Sequence, residues 1–121
     1  MIKNKMHHKI KEFYSSIKSL YCKEINSYVY FNNSGLAHLH RKGGALRSKQ
    51  DQKRRFELFR KYIKSISHDR YNITTRNSPK GNSACVFIAL EKKFDTRRIK
   101  IILRQINKGK IHFFSIMEYD K

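Results

Sequence analysis

The sequence lacks tryptophan and has only one proline and two cysteines among its 121 residues. A single proline predicts few long loops. Cys22 and Cys85 lie far apart and fit no metal-binding spacing, so we expect two buried, reduced thiols in a reducing compartment. These shortages argue against a disulfide framework and against a cysteine-based zinc site.

Long apolar runs are missing as well. No stretch reaches the length of a membrane span, and residues 1–13 are basic without the apolar centre of a secretory signal. We therefore expect no membrane contact and a place in the cytoplasm, either of the host or of a target cell. The hydrophobic content of 39%, with eight Phe and seven Tyr, is enough for a small core, and residues 1–121 are predicted to form a single domain.

Acidic residues are scarce. Nine Asp and Glu stand against 28 Lys and Arg, which gives a net charge of +19. Such self-repulsion favours a polyanionic partner, and we expect nucleic acid rather than the second candidate, an anionic membrane surface. The carboxylates are scattered, so the sequence predicts neither a two-metal nuclease centre nor a bound cofactor.

Hydrophobic periodicity predicts an α+β domain, with helices mainly in the first half of the chain and a run of strands in its last third. Residues 9–66 are expected to be mainly helical with one short strand, residues 67–82 to form a polar loop, and residues 83–117 to form antiparallel strands. The predicted helices are 9–22, 35–43 (closed by Gly43 or Gly44) and 48–66 (begun by Ser48 with Asp51), and the predicted strands are 27–31, 83–94, 98–106 and 110–117.

The loop Asn107-Lys108-Gly109 joins the last two strands. Such a loop commonly ends on a left-handed glycine beside a bulge. The register then places Arg104 opposite His112 and Ile102 opposite Phe114, with ~5 Å between paired Cβ atoms. An arginine can hold two phosphate oxygens and a histidine can move a proton near neutral pH. The alternative is an arginine at the sheet edge that extends into solvent.

A second group of candidates lies in "GLAHLHRKGG", residues 35–44. His38 and Lys42 are four residues apart and share a helix face, whereas His40 points to a different side. A histidine on a basic helix can also be an ordinary surface residue. Ser115 follows His112 by three residues, which puts it on the opposite face of a regular strand unless a bulge turns it back.

Without clustered carboxylates, nuclease chemistry is expected to be metal-free. The 2′-OH of RNA attacks the adjacent phosphate, one group takes its proton, another protonates the leaving oxygen, and cations stabilise the charge. His38 and His112 are predicted as the proton-transfer pair, in an order left open, and Arg104 and Lys42 as the stabilising cations. RNA contacts are expected from neighbouring residues, namely His40, Arg41, Arg47, Lys53, Arg54 and Arg55. A non-catalytic RNA- or DNA-binding module and a structural protein remain alternatives.

Three segments resemble a known superfamily: "VYFNNSGLAHLHRKGG", "RSKQDQKRRFELF" and "IKIILRQINKGKIHFFSIM". The chain resembles the phage-associated branch of the barnase, EndoU, colicin and RelE-like nucleases, often called the BECR fold. The resemblance implies an α+β fold with N-terminal helices packed on a small, twisted, antiparallel sheet of about four strands. The resemblance implies a toxin, effector or mobile-element ribonuclease that cleaves tRNA or mRNA. By position it implies roles for His38, for Arg41 or Lys42, for Arg104, and for His112 and Ser115. The charge would also suit an acidic antitoxin or immunity protein.

Overall fold

The computed structural model describes residues 5–42, 44–79, 81 and 83–119, and this part of the chain forms an α+β fold. Its helices are α1 (Lys5–Ser16), α2 (Asn33–His40) and α3 (Lys49–Tyr62), the last continued by a 3₁₀ helix at Ile63–Ser67. Its strands are β1 (Ser19–Cys22), β2 (Ser27–Tyr30), β3 (Arg41–Lys42), β4 (Ala45–Leu46), β5 (Asn72–Asn77), β6 (Cys85–Phe94), β7 (Arg97–Ile106) and β8 (Ile111–Glu118).

Six strands form one curled, mostly antiparallel sheet in the order β1-β2-β8-β7-β6-β5. The exception is β2, which pairs in parallel with β8 through Val29 with Ile111 and Tyr30 with His112. Side chains alternate along each strand, so Ile99, Ile101 and Leu103 of β7 are fully buried against the helices. Lys100, Ile102 and Arg104 lie on the opposite side of the sheet, which we call the outer face.

The core between sheet and helices is built around aromatic rings. Phe59 of α3 stacks on Tyr14 of α1 with 5.3 Å between centroids, and its edge contacts Phe113 of β8 at 5.0 Å. Each fully buried ring of this size stabilises the fold by roughly 1.5–3 kcal/mol. Cys22 and Cys85 are buried and form no disulfide, as expected from their spacing. This packing fixes α3 over the inner face of β8.

The helix over 48–66 is confirmed, including its start. Ser48 accepts a hydrogen bond from the Asp51 amide at 3.1 Å, which satisfies one of the free donors of the first turn. The prediction of a helix over 9–22 is wrong beyond Ser16. Residues 19–22 instead form β1, because "SLYC" also alternates as a strand and pairs with "SYVY" of β2.

Three further predictions are wrong. The polar stretch 67–82 is not all loop, since residues 72–77 form the edge strand β5 paired in full with β6. Backbone hydrogen bonds to β6, together with two β-branched threonines, are sufficient to form this edge strand, although it buries little side-chain surface. The helix predicted over 35–43 ends at His40. Arg41–Lys42 and Ala45–Leu46 pair as the β3–β4 ribbon, with Gly44 left-handed in its turn (φ 88°), while Gly43, the other predicted end of the helix, lies outside the described residues. With β1 and β5 added, the main sheet has six strands rather than about four.

The β7–β8 hairpin bears out the central register prediction, because Arg104 pairs with His112. The next pair differs: a bulge between Ile102 and Leu103 places Ile102 opposite Ser115 instead of Phe114. The packing of the core explains this bulge. Phe113 and Ile116 are three residues apart and both are buried, but residues three apart in a regular strand point to opposite faces, so an extra residue must lie between them. In the loop, Asn107 and Lys108 adopt left-handed conformations, whereas Gly109 does not.

Candidate active site on the outer face

A cleft of about 460 Å³ opens on the outer face. Its floor comes from β6, β7 and β8, one side comes from α2 and the β3–β4 ribbon, and the other side comes from β5. The lining residues are His38, Lys42, Arg47, Thr74, Thr75, Arg76, Phe87, Ala89, Lys100, Ile102, Phe114, Ser115 and Met117. Four of these described lining residues are cations and none is a carboxylate. Arg47 pairs with Asp51 and Lys100 with Glu91, whereas none of the described ion pairs includes Lys42 or Arg76, so the lining retains positive charge that can attract a phosphate.

His38 has a defined position in this cleft. Its imidazole packs on the ring of Phe114, with 4.0 Å between centroids. The Arg104 guanidinium lies 4.9 Å from the centroid of the same ring. Partial burial, and then the charges of Arg104 and Arg47, lower the pKa of His38 from its usual 6.5. The imidazole is therefore mainly neutral at pH 7, the form that accepts a proton.

Local packing explains why His38 reaches the cleft. Asn32 caps α2 by accepting a hydrogen bond from the Gly35 amide at 3.1 Å. Gly35 then passes so close to β8 that a Cβ would lie 2.7 Å from the carbonyl oxygen of Phe113 and would also overlap the Tyr14 hydroxyl. One helical turn after this contact, His38 lies over the neighbouring β8 residue, Phe114.

Arg47 joins the end of α2 to the start of α3. Its Nε donates to the carbonyl of His38 at 3.1 Å, and its Nη1 donates to Asp51 at 3.0 Å. Burial would raise the pKa of Asp51, but the hydrogen bond from Arg47 and the charges of Arg55 and Arg47 outweigh it and lower that pKa. The Arg47 side chain is only 6% exposed, so it holds the site together while contributing positive charge to the cleft.

Ser115 pairs with Ile102 and lies on the same side of the sheet, because the bulge shifts the register of β8. Of the two possibilities that the sequence left open, a regular strand or a bulge that turns Ser115 back, the second is correct. It is buried but lines the cleft. Arg55 of α3 supports this segment, because its Nη1 donates to the Ile116 carbonyl at 2.7 Å and lies 3.4 Å from the Ser115 hydroxyl. Arg55 therefore contacts the strand backbone, where the sequence had suggested an RNA contact.

His112 pairs with Arg104 in the ladder but is not among the residues that line the cleft. Its ring lies 6.2 Å from that of Tyr30 on the neighbouring strand. Arg104 thus stands between the two histidines, with His112 beside it in the sheet and His38 across the Phe114 ring. The structure brings Arg104 and His112 to one face of the sheet, and neither is among the residues that line the cleft.

The other predicted RNA contacts differ in accessibility. His40 is 9% exposed, with Nδ1 3.3 Å from Gln52 and its ring against Phe56, so it lies in the interior and does not face a surface ligand. Lys53 and Arg54 are exposed on α3. Arg41 is exposed and donates to the Gly44 carbonyl at 3.0 Å, whereas Lys42, beside it, lines the cleft.

Sequence reasoning missed Arg76, Phe87, Lys100 and Phe114 as parts of the site. Lys100 could have been found, because it alternates with Ile102 and Arg104 and must share their face. Arg76 could not have been found in this way, because it belongs to β5, which the sequence analysis predicted to be part of a loop. Phe87 touches Phe114 at 5.1 Å between centroids and lies under Arg76 at 5.9 Å. Cations and aromatic rings therefore alternate across the outer face.

Over the described ranges, no group of three or more His, Cys, Asp or Glu side chains gathers as metal ligands. None of the helices in these ranges is long and apolar enough to cross a membrane. The chain matches no protein family, no curated protein and no solved structure. The resemblance to the BECR nucleases therefore stays a prediction.

Proposed function

We propose that this protein is a metal-independent endoribonuclease whose scissile phosphate binds in the cleft of the outer face. One observation carries the proposal: a half-buried histidine of lowered pKa, His38, faces a cleft lined by four cations and, among the described lining residues, by no carboxylate. A dianionic phosphorane is favoured in such surroundings, and a neutral imidazole can take the proton of the attacking 2′-OH.

The roles divide as follows. His38 acts as the general base, because its lowered pKa keeps it unprotonated at neutral pH. His112 acts as the general acid from the other side of Arg104, to which it is paired. Arg104 and Lys42 stabilise the charge that develops on the phosphate, and the Ser115 hydroxyl donates a hydrogen bond to it. The products are a 2′,3′-cyclic phosphate and a free 5′-OH, with the proton passing from the 2′-oxygen to the leaving oxygen.

A binding module without catalysis is the second candidate. It is favoured by α3, whose exposed basic residues Lys49, Lys53, Arg54, Arg60 and Lys61 lie on the helix surface and need no chemistry to attract RNA or DNA. Such a module would bind with strong salt dependence. It would keep its full activity in the cell after His38 is replaced.

The deciding experiment incubates purified protein with RNA in EDTA and analyses the ends of the products. We expect cleavage with 2′,3′-cyclic phosphate ends, none on RNA with 2′-O-methyl riboses, and a loss of about a hundredfold to ten-thousandfold in His38→Ala. His68→Ala, which removes an exposed histidine outside the cleft, is the matched control and should cleave normally. Equal cleavage by His38→Ala, or no cleavage by the wild type, would refute the assignment.

A ribonuclease of this kind would act in the cytoplasm of its host or of a target cell, on tRNA or mRNA, as a toxin, effector, phage or mobile-element protein. Its net charge of +19 suits an acidic antitoxin or immunity protein as an inhibitor. Poor expression of the wild type with normal expression of His38→Ala would support a toxic activity.

A further inference from the structure

Three tyrosines extend the outer face beyond the cleft. Tyr30 pairs with His112 across the parallel ladder. Tyr28 lies two residues earlier in β2 and so on the same face, since Val29 between them is fully buried in the core. Tyr21 of β1 pairs with Tyr28. We call Tyr21, Tyr28 and Tyr30 the tyrosine surface.

Two rings of the tyrosine surface are exposed, although the Tyr21 hydroxyl donates to the side chain of Asn26. Tyr28 is 53% and Tyr21 38% exposed, and their rings contact each other edge to face with 5.3 Å between centroids. The other exposed large hydrophobic residues in the described chain, Leu46, Ile73 and Ile106, lie singly on three different strands. Isolated exposed side chains are ordinary, whereas a contiguous aromatic surface marks a binding site.

Positive charge accompanies these rings. The Lys110 ammonium lies 4.6 Å from the centroid of Tyr30. Strand geometry places Tyr30 ~5 Å from His112 and Tyr28 ~7 Å further along β2. Aromatic rings beside a basic groove are the arrangement by which proteins hold single-stranded nucleic acid, because bases stack on the rings and cations follow the phosphates.

We infer that the tyrosine surface binds unpaired nucleobases of the RNA strand whose phosphate occupies the cleft, and that the substrate class is single-stranded RNA. The inference rests on the proposed function for the position of the phosphate. In a duplex the base faces are already stacked on their neighbours, so a base can lie on Tyr28 only where the strand is unpaired. Lys110, held over Tyr30, then neutralises a phosphate between the cleft and the tyrosine surface.

The test uses RNA that cannot be cleaved, so that binding is measured separately from catalysis. Fluorescence anisotropy compares the full-length protein on a 2′-O-methyl single strand and on the same strand annealed to its complement. We expect Tyr28→Ala to weaken single-strand binding about tenfold and to leave duplex binding unchanged. Tyr28→Phe should bind like the wild type, while Tyr28→Leu, which keeps apolar area but no ring, should bind like Tyr28→Ala.

Ile73→Ala is the control, because it removes an exposed apolar side chain from β5 at the far edge of the sheet and should change nothing. Unchanged single-strand binding by Tyr28→Ala, or equal weakening of single-strand and duplex binding, would overturn the inference. The two proposals can fail separately. A wild type that cleaves RNA while Tyr28→Ala binds normally refutes only the tyrosine surface. Tyr28-dependent binding without any cleavage refutes only the ribonuclease.

Discussion

The imidazole of His38 lies on the ring of Phe114, with 4.0 Å between the two centroids. Phe114 is the extra residue of the β8 bulge, and its ring also carries the Arg104 guanidinium at 4.9 Å. One aromatic ring thus contacts both the imidazole of His38 and the guanidinium of Arg104. The apolar contact takes part of the imidazole out of water, which favours its neutral form.

The pKa of His38 should rise when Arg104 loses its charge. Arg104→Met removes the cation that, after burial, most strongly lowers this pKa. NMR titration of the imidazole protons should show the shift toward 6.5, the usual value. Arg60→Met, an exposed charge loss on α3, is the control and should leave the His38 titration in place. A His38 pKa unaffected by Arg104→Met would contradict the placement of the guanidinium.

The same lowered pKa has a consequence for stability. The unfolded chain binds a proton at His38 more readily than the folded chain does, so this group favours folding above pH 6.5. As the pH falls below 6.5 that contribution is lost. Urea unfolding as a function of pH should therefore show a steeper loss of stability below pH 6.5 in the wild type than in His38→Gln. Identical pH profiles would argue against burial of the imidazole.

Gly35→Ala should destabilise the fold and displace α2. The added Cβ would lie 2.7 Å from the Phe113 carbonyl, a backbone atom that cannot move aside alone. We expect a loss of about 1–3 kcal/mol in the free energy of unfolding, as for other overpacked sites. Ala37→Ser, an exposed change in the same helix, should cost less than about 0.5 kcal/mol. Chemical denaturation measures both, and equal stabilities would disprove the close approach of α2 to β8.

Asp51 should contribute stability that acid removes. Its pKa is lower in the folded chain because Arg47 and Arg55 together outweigh the effect of burial. Its contribution is present above the unfolded value near 3.8 and is lost as the pH falls through the folded value. Asp51→Asn should therefore be less stable than the wild type at pH 7, with the difference shrinking in acid. Glu57→Gln, an exposed acid on the same helix, should show little difference at either pH.

Lys42 should act on RNA through charge alone. Lys42→Gln removes one exposed cation at the cleft, so the slope of log binding constant against log salt should fall by about one. Lys64→Gln removes an exposed cation outside the cleft and should change the slope less. Titrations of uncleavable RNA at several salt concentrations give both slopes. Equal slopes for the two variants would mean that RNA does not enter the cleft.

Several features followed from local pattern. Ser48 with Asp51 predicted the start of α3, and the apolar stripe of "RRFELFRKYI" predicted its buried face, because caps and helical periodicity depend only on near neighbours. The short loop between β7 and β8 was sufficient to predict that Arg104 pairs with His112. The strand β5 escaped prediction, since its six exposed residues gain their order from β6 and show no apolar alternation.

The sequence alone determined the charge, the main helix and strands, and the Arg104–His112 pair, because these depend on composition and on residues close in the chain. Only the tertiary structure decided that a bulge turns Ser115 to the outer face, that Gly35 lets α2 approach β8, and that β5 completes the cleft. Those features arise from contacts between residues far apart in sequence. The core must accept Phe113 and Ile116 together, and that packing requirement is what sets the position of Phe114 under His38.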